Sequence, residues 1–177
     1  RNTGQRDANP WKTLVKSRVG PLVGWRQPTT PETLLEAMDA RPCPVLVEAD
    51  QLNTLLDHRD LVLVDMSPSA AYEAGHIPGA VHLDYDRIVA SDGPVSGLLP
   101  EESTFRSTLA GLGIGPDSRV VAYDDSAGLT AARLLWTLSV CGIENWSLLN
   151  GGRQAWQRAG YELEPGTVDP DPAPAFA

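Results

Sequence analysis

The sequence predicts an α/β fold in which a mostly parallel central sheet is flanked by helices. Three observations predict it. Short apolar runs recur between residues 45 and 162, and segments with apolar residues at helical spacing follow them. Clusters of Gly, Pro, Asp and Asn separate the two kinds of segment. Leu61–Val64 is apolar without alternation, as in a strand covered on both faces. Repeated strand–helix alternation builds a layered sandwich.

Val45–Val47 reads as the first strand. Asp50 is read as the cap of a helix whose Leu52, Leu55 and Leu56 share one face. After the strand Leu61–Val64, Ser67 or Ser69 is expected to cap a short helix over Ala70–Ala74, which Gly75 stops. Pro78-Gly79 supplies a turn into a strand at Ala80–Leu83. Residues 84–100 read as a loop, and Glu101–Gly113 as a helix with Phe105, Leu109 and Leu112 inward. Arg119–Tyr123 is the central strand, followed by a polar loop, Asp124-Asp125-Ser126-Ala127-Gly128-Leu129-Thr130, and a helix over Ala131–Val140. Trp146–Leu149 is a further strand. Asn150-Gly151-Gly152 then turns into a helix that carries Ala155 and Trp156 and ends at Gly160.

The flanks differ from this core. Residues 1–44 form a basic, Pro-rich arm with at most one short helix around Glu32–Ala40; residues 45–163 form the domain; residues 164–177 are a Pro-rich tail or interdomain linker. The arm reads as a mobile tail, with docking on a domain or a partner through Trp11, Val15, Val19, Leu22 and Trp25 as the alternative. Opening on Arg1 rather than Met, the chain reads as processed or as a piece of a longer one.

Composition bounds the function. The 177 residues are 42% hydrophobic and 21% charged, the make-up of one globular domain with appended segments. No apolar run reaches the length of a membrane helix, so no membrane span is expected. The net charge is −9, yet residues 1–30 hold six Lys/Arg against Asp7 and leave −14 on residues 31–177. So acidic a body argues against a nucleic-acid partner. Cys43 and Cys141 form neither a disulfide framework nor a zinc signature, and they fit a reducing, cytoplasmic compartment, with a processed organellar or periplasmic form as the alternative. His76 has no second ligand at metal spacing and reads as a structural hydrogen-bonder. Neither a metal nor a cofactor is expected.

Chemistry is expected at the loop after the central strand. A strand feeding through a tight loop into a helix aims loop amides and the positive end of the helix dipole at one point, which favours an anion. Here the loop holds two aspartates and no cysteine.

Three elements coincide in order. Glu73-Ala74-Gly75-His76-Ile77-Pro78-Gly79-Ala80 resembles the signature near the start of rhodanese domains. Leu149-Asn150-Gly151-Gly152-Arg153-Gln154-Ala155-Trp156 is similar to their closing strand-to-helix motif. Between them, Val120–Tyr123 stands where the rhodanese strand enters its active-site loop. The resemblance covers about residues 45–162 and implies a rhodanese-like three-layer sandwich. It also implies family chemistry, the transfer of a sulfane sulfur from a donor such as thiosulfate to cyanide or a thiol.

In active rhodaneses the residue after that strand is a cysteine whose thiolate, in a ring of loop amides, carries the persulfide. Its position here is Asp124, and a carboxylate forms no persulfide. The loop resembles that of the inactive N-terminal domain of tandem rhodaneses, in which a second domain carries the cysteine. The expected site is therefore degenerate, with no catalytic residue, and the expected partner is a second, catalytic rhodanese domain or another protein. Asp124 is expected to act as a built-in anion, with Asp125 or Ser126 capping the following helix; Arg133 is assigned a salt-bridge or surface role. Cys141 stands about 20 Å along its helix from the loop, a packing position rather than a sulfur carrier. Two other readings compete. One is a stand-alone rhodanese-fold binding module. The other is an aspartate-nucleophile phosphohydrolase, disfavoured because the aspartates are adjacent and no lysine follows Lys16.

Overall fold

The computed structural model describes residues 44–173. The arm up to Cys43, with its expected helix around Glu32–Ala40, lies outside the described residues.

Five strands form one sheet: β1 (Leu46–Val47), β2 (Leu61–Asp65), β3 (Val81–His82), β6 (Arg119–Tyr123) and β7 (Trp146–Leu149), in the order β1-β7-β6-β2-β3. Every pairing in it is parallel. Parallel neighbours need crossovers, and helices supply them. These are α1 (Ala49–Asn53), α2 (Ser69–Ala74), α3 (Glu102–Gly111), α4 (Leu129–Val140) and α5 (Gly152–Arg158). The predicted three-layer α/β sandwich is the observed one.

Strand β6 shows why both faces are covered. Val120 and Ala122 enter a core with Phe105 and Leu109 of α3 and Leu134, Leu135 and Leu138 of α4. Val121 and Tyr123 enter the opposite core, with Leu52 of α1, Leu55 just beyond it and Trp156 of α5. Successive strand residues point to opposite faces, so a run without alternation requires a layer on each. From β2 the chain steps outward to β3, and from β6 it steps the other way to β7. The strand order thus reverses between β2 and β6, the topological position at whose carboxyl ends open α/β sheets place their sites.

Several local expectations are corrected. Helix α1 begins one residue before Asp50; Glu48 is its cap, with its N–H bonded to Gln51 Oε1 at 2.9 Å. Neither Ser67 nor Ser69 caps α2: the cap position is Pro68, Ser67 N–H donates to Asp65 Oδ1 at 2.7 Å, and Ser69 Oγ donates to Asp84 Oδ1 at 3.2 Å. Pro68 enters the helix with its torsion already set. Residues 84–100 are not all loop. They hold a 3₁₀ turn (Tyr85–Arg87) and an antiparallel hairpin of β4 (Ala90–Asp92) and β5 (Val95–Leu98). The Asp, Gly and Ser content masked the hairpin, whose residues are mostly exposed and lack the alternation that marks a half-buried strand.

Residues 164–173 lie along the domain. Glu164 pairs with His76 through N–H···O bonds of 2.9 and 3.0 Å, Gly166 N–H donates to Glu73 O at 2.9 Å, and Ala173 N–H reaches Ala110 O at 2.9 Å.

Candidate functional site

Asp124 follows β6 directly and is 1% exposed. Its Oδ1 accepts the N–H groups of Ser126 (2.9 Å) and Gly128 (2.7 Å). Its Oδ2 accepts the N–H groups of Thr130 (2.9 Å) and Ala131 (3.1 Å) and the Thr130 hydroxyl (2.7 Å). Five donors thus converge on one carboxylate. The local cause is a pair of left-handed residues, Ala127 (φ 62°) and Gly128 (φ 87°), which curl successive amides inward into an anion-binding nest. Gly128 takes its conformation freely; at Ala127 it costs on the order of 1 kcal/mol.

Helix α4 therefore starts at Leu129, two residues earlier than expected, with Gly128 as its cap and no capping side chain at that position. Neither Asp125 nor Ser126 caps it, contrary to expectation. The carboxylate that reaches the free amides of its first turn is that of Asp124, bonded to Thr130 and Ala131. Burial pushes the Asp124 carboxyl up, but bonds from Ala131, Thr130, Gly128 and Ser126 outweigh that and hold it below the usual carboxylate range.

Neighbouring elements fix the loop. Met66 N–H donates to Tyr123 O at 2.9 Å, and the Thr130 hydroxyl also lies 3.3 Å from Met66 O, so the exits of β2 and β6 are joined. The paired glycines stand against this loop. A Cβ on Gly152 (φ 56°) would overlap the carbonyl oxygen of Asp124, and one on Gly151 (φ 72°) would meet Ala155 Cβ at 2.9 Å. The next residue, Arg153, was not singled out in the sequence. Its main-chain N–H donates to Asp124 O at 3.3 Å, and its guanidinium bonds Ala71 O (2.8 Å), Gly75 O (3.0 Å) and Asp125 Oδ2 (3.3 Å). Its place directly after the two glycines was the available signal.

The remaining motif residues make packing and hydrogen-bond contacts. His76 is buried, stacks on Tyr72 at 4.1 Å, and places Nδ1 3.1 Å from Tyr72 O and Nε2 3.3 Å from Glu164 Oε1. Gly75 ends α2 in extended backbone rather than a left-handed turn; a Cβ there would press on Leu163 at 3.3 Å. Following Pro78, Gly79 (φ 77°) makes the expected turn and gives its N–H to Glu164 Oε1 at 2.7 Å. Trp156 is buried and its indole N–H donates to Glu162 O at 2.9 Å. Leu129, at the loop's end, is 75% exposed.

Of the salt-bridge or surface role expected of Arg133, no carboxylate pair is seen among the described residues. Its guanidinium donates to Gly97 O (2.8 Å) and Leu98 O (3.1 Å) and lies 4.9 Å from the Trp136 ring centre, clamping the β4–β5 hairpin to α4. Cys141 caps the far end of α4, is buried, and has its thiol pushed up to about 11 by that burial. Among the described residues, no three His, Cys, Asp or Glu side chains gather as a cation site.

The Rhodanese-like domain family matches residues 48–159. Thiosulfate sulfurtransferase of Pseudomonas aeruginosa is 38% identical over 113 residues, which are 64% of this chain and 42% of that protein. The 3-mercaptopyruvate sulfurtransferase of Escherichia coli is 33% identical over 133 residues, 70% of this chain and 47% of that protein. The crystal structure of SseA from Escherichia coli, described as a 3-mercaptopyruvate sulfotransferase, superimposes with a TM-score of 0.68 at 30% identity over 75% of this chain and 56% of that one. The chain thus spans under half the length of these two curated relatives. Both motifs flanking the amide ring fall inside the matched residues, and the fold around them is the same: the chain belongs to the rhodanese-like domain family.

Proposed function

We propose that this domain is a sulfurtransferase-family scaffold whose sulfur-carrying position is filled by Asp124, and that it serves as the non-catalytic, N-terminal half of a tandem sulfurtransferase. The observation that carries the reading is the carboxylate of Asp124 itself, which takes four loop amides and a hydroxyl. An incoming anion would have to compete with the Asp124 carboxylate for these five donors. The match to under half of longer sulfurtransferases supports the tandem assignment. Sulfur transfer, its donor and its acceptor then belong to a second domain.

The direct test is thiocyanate formation from thiosulfate and cyanide by this chain, alongside its C43S/C141S variant. No turnover by either is expected. Turnover lost in the double variant would place the nucleophile at one of the two native cysteines and overturn the reading. The D124C variant is expected to take up sulfur from thiosulfate, detected as a mass increase of one sulfur atom.

A second reading, a stand-alone binding module, draws on an exposed apolar group: Val95 and Leu98 of the hairpin, with Leu129 and Trp136 of α4. Exposed apolar side chains that form a large continuous patch mark contact sites. The first reading accommodates the same surface as a face toward its second domain, and we adopt it.

A further inference from the structure

We propose that Arg153 is the positioning residue of the amide ring, tying the loop that begins at Asp124 to the end of α2 and so setting where the ring amides point. The inference goes beyond the proposed function and rests on the ring geometry, not on the tandem assignment.

One residue grips both Asp124, through its carbonyl, and Asp125, through its side chain. The Arg153 main-chain N–H holds the Asp124 carbonyl at 3.3 Å, and Nη2 holds Asp125 Oδ2 at the same distance. Nη1 anchors the assembly on Ala71 O, in the last turn of α2, and on Gly75 O, at the cap that follows it, where a helix end carries partial negative charge and favours a cation. The Arg153 side chain is only 18% exposed, so this fork works largely out of water. Gly152 brings the Arg153 backbone close enough, since any Cβ at 152 would collide with the Asp124 carbonyl. A planar guanidinium serves three acceptors at once; a lysine ammonium offers a compact charge on a flexible stem.

The orientation of the 124–125 peptide is the first torsional step of the loop, and the Ser126 and Gly128 amides that meet Oδ1 follow it. Freeing that peptide lets the nest open, and an anion at position 124 loses donors. An Arg153 acting only as a packing element would change stability without changing the affinity of the ring for charge.

The test uses the full chain in a C43S background and follows the thiol introduced by D124C, whose thiolate absorbance is titrated against pH. Cys141 is buried, with its thiol pushed up to about 11, and ionises well above the window read. D124C is expected to titrate at least one pH unit below the ordinary thiol value of about 8.5. Adding R153Q is expected to raise that midpoint by about one unit, a tenfold change in the acid constant. R153K keeps the charge opposite Asp125 but not the fork, and is expected to give a partial rise. A D124C midpoint unmoved by R153K or by R153Q overturns the proposal, even if melting temperature falls. A D124C midpoint at the ordinary thiol value overturns the reading of the ring as an anion site, a separate failure. Should R153Q not fold, the R153K comparison decides alone.

Discussion

The carbonyl oxygen of Asp124 occupies the space that a side chain at Gly152 would need. Two segments 28 positions apart in sequence are pressed into backbone contact there, and Gly152 also sits at φ 56°. Steric overlap and a left-handed conformation oppose any substitution together. G152A is expected to lose about 3 kcal/mol or more of stability, read by urea denaturation. A loss under about 0.5 kcal/mol, the size of an ordinary surface change, would mean that the loop moves aside at little cost.

Asp124 makes the loop acid-sensitive. Its carboxyl is held below the usual range in the folded chain, so its contribution is fully present above the unfolded value of about 3.9 and fades as pH falls through the folded one. D124N presents an amide to five donors and is expected to lose about 3 kcal/mol at neutral pH. Thermal melts of both proteins should converge as pH falls from 5 toward about 2. A constant gap over that window would assign the loss to packing rather than charge.

Trp156 joins a buried ring to one hydrogen bond. W156F retains most of the volume and gives up the bond to Glu162 O, for an expected cost of about 1–2 kcal/mol. W156A opens a cavity under β6 and β7 and should cost about 3–5 kcal/mol. Denaturant midpoints rank the two; equal losses would mean that the indole N–H outweighs the ring.

Arg133 is expected to hold the hairpin locally. An isolated two-stranded hairpin is marginal in water. R133A removes both bonds to the Gly97 and Leu98 carbonyls and should speed amide exchange in residues 90–98 by about tenfold, with global stability changed by under 1 kcal/mol. Exchange rising equally throughout the domain would contradict a local clamp.

Cys141 should be silent to thiol reagents in the native state. It is buried with its thiol pushed up to about 11, so in a C43S background it should react only as the chain unfolds. Fast native labelling would show α4 opening at its C-terminal end.

Much of the framework was legible because its signals are local. Arg119–Tyr123 and Trp146–Leu149 have the bounds read from their apolar runs, and the continuous character of Leu61–Val64 announced a two-sided sheet. Position 124 was legible as well, since a strand, a Gly-containing loop and a helix read in one short stretch place a residue at an anion-binding turn. Caps were not. Glu48, Pro68 and Gly128 took positions expected of Asp50, the serines at 67 and 69, and the pair Asp125 and Ser126. Each cap depends on where the helix is allowed to start, and packing decides that.

By itself the sequence determined a layered α/β domain, two motifs, and an aspartate at the turn that follows the central strand. Those are patterns of residue type within short windows, which periodicity and turn chemistry express directly. Only the tertiary structure decided that Gly152 makes room for the Asp124 carbonyl, that Arg153 spans α2 and the loop, and that Glu164 binds back to His76. These contacts join residues from 28 to 88 positions apart. No window of sequence contains both partners. They meet because the parallel sheet brings the ends of β2, β6 and β7 to one edge.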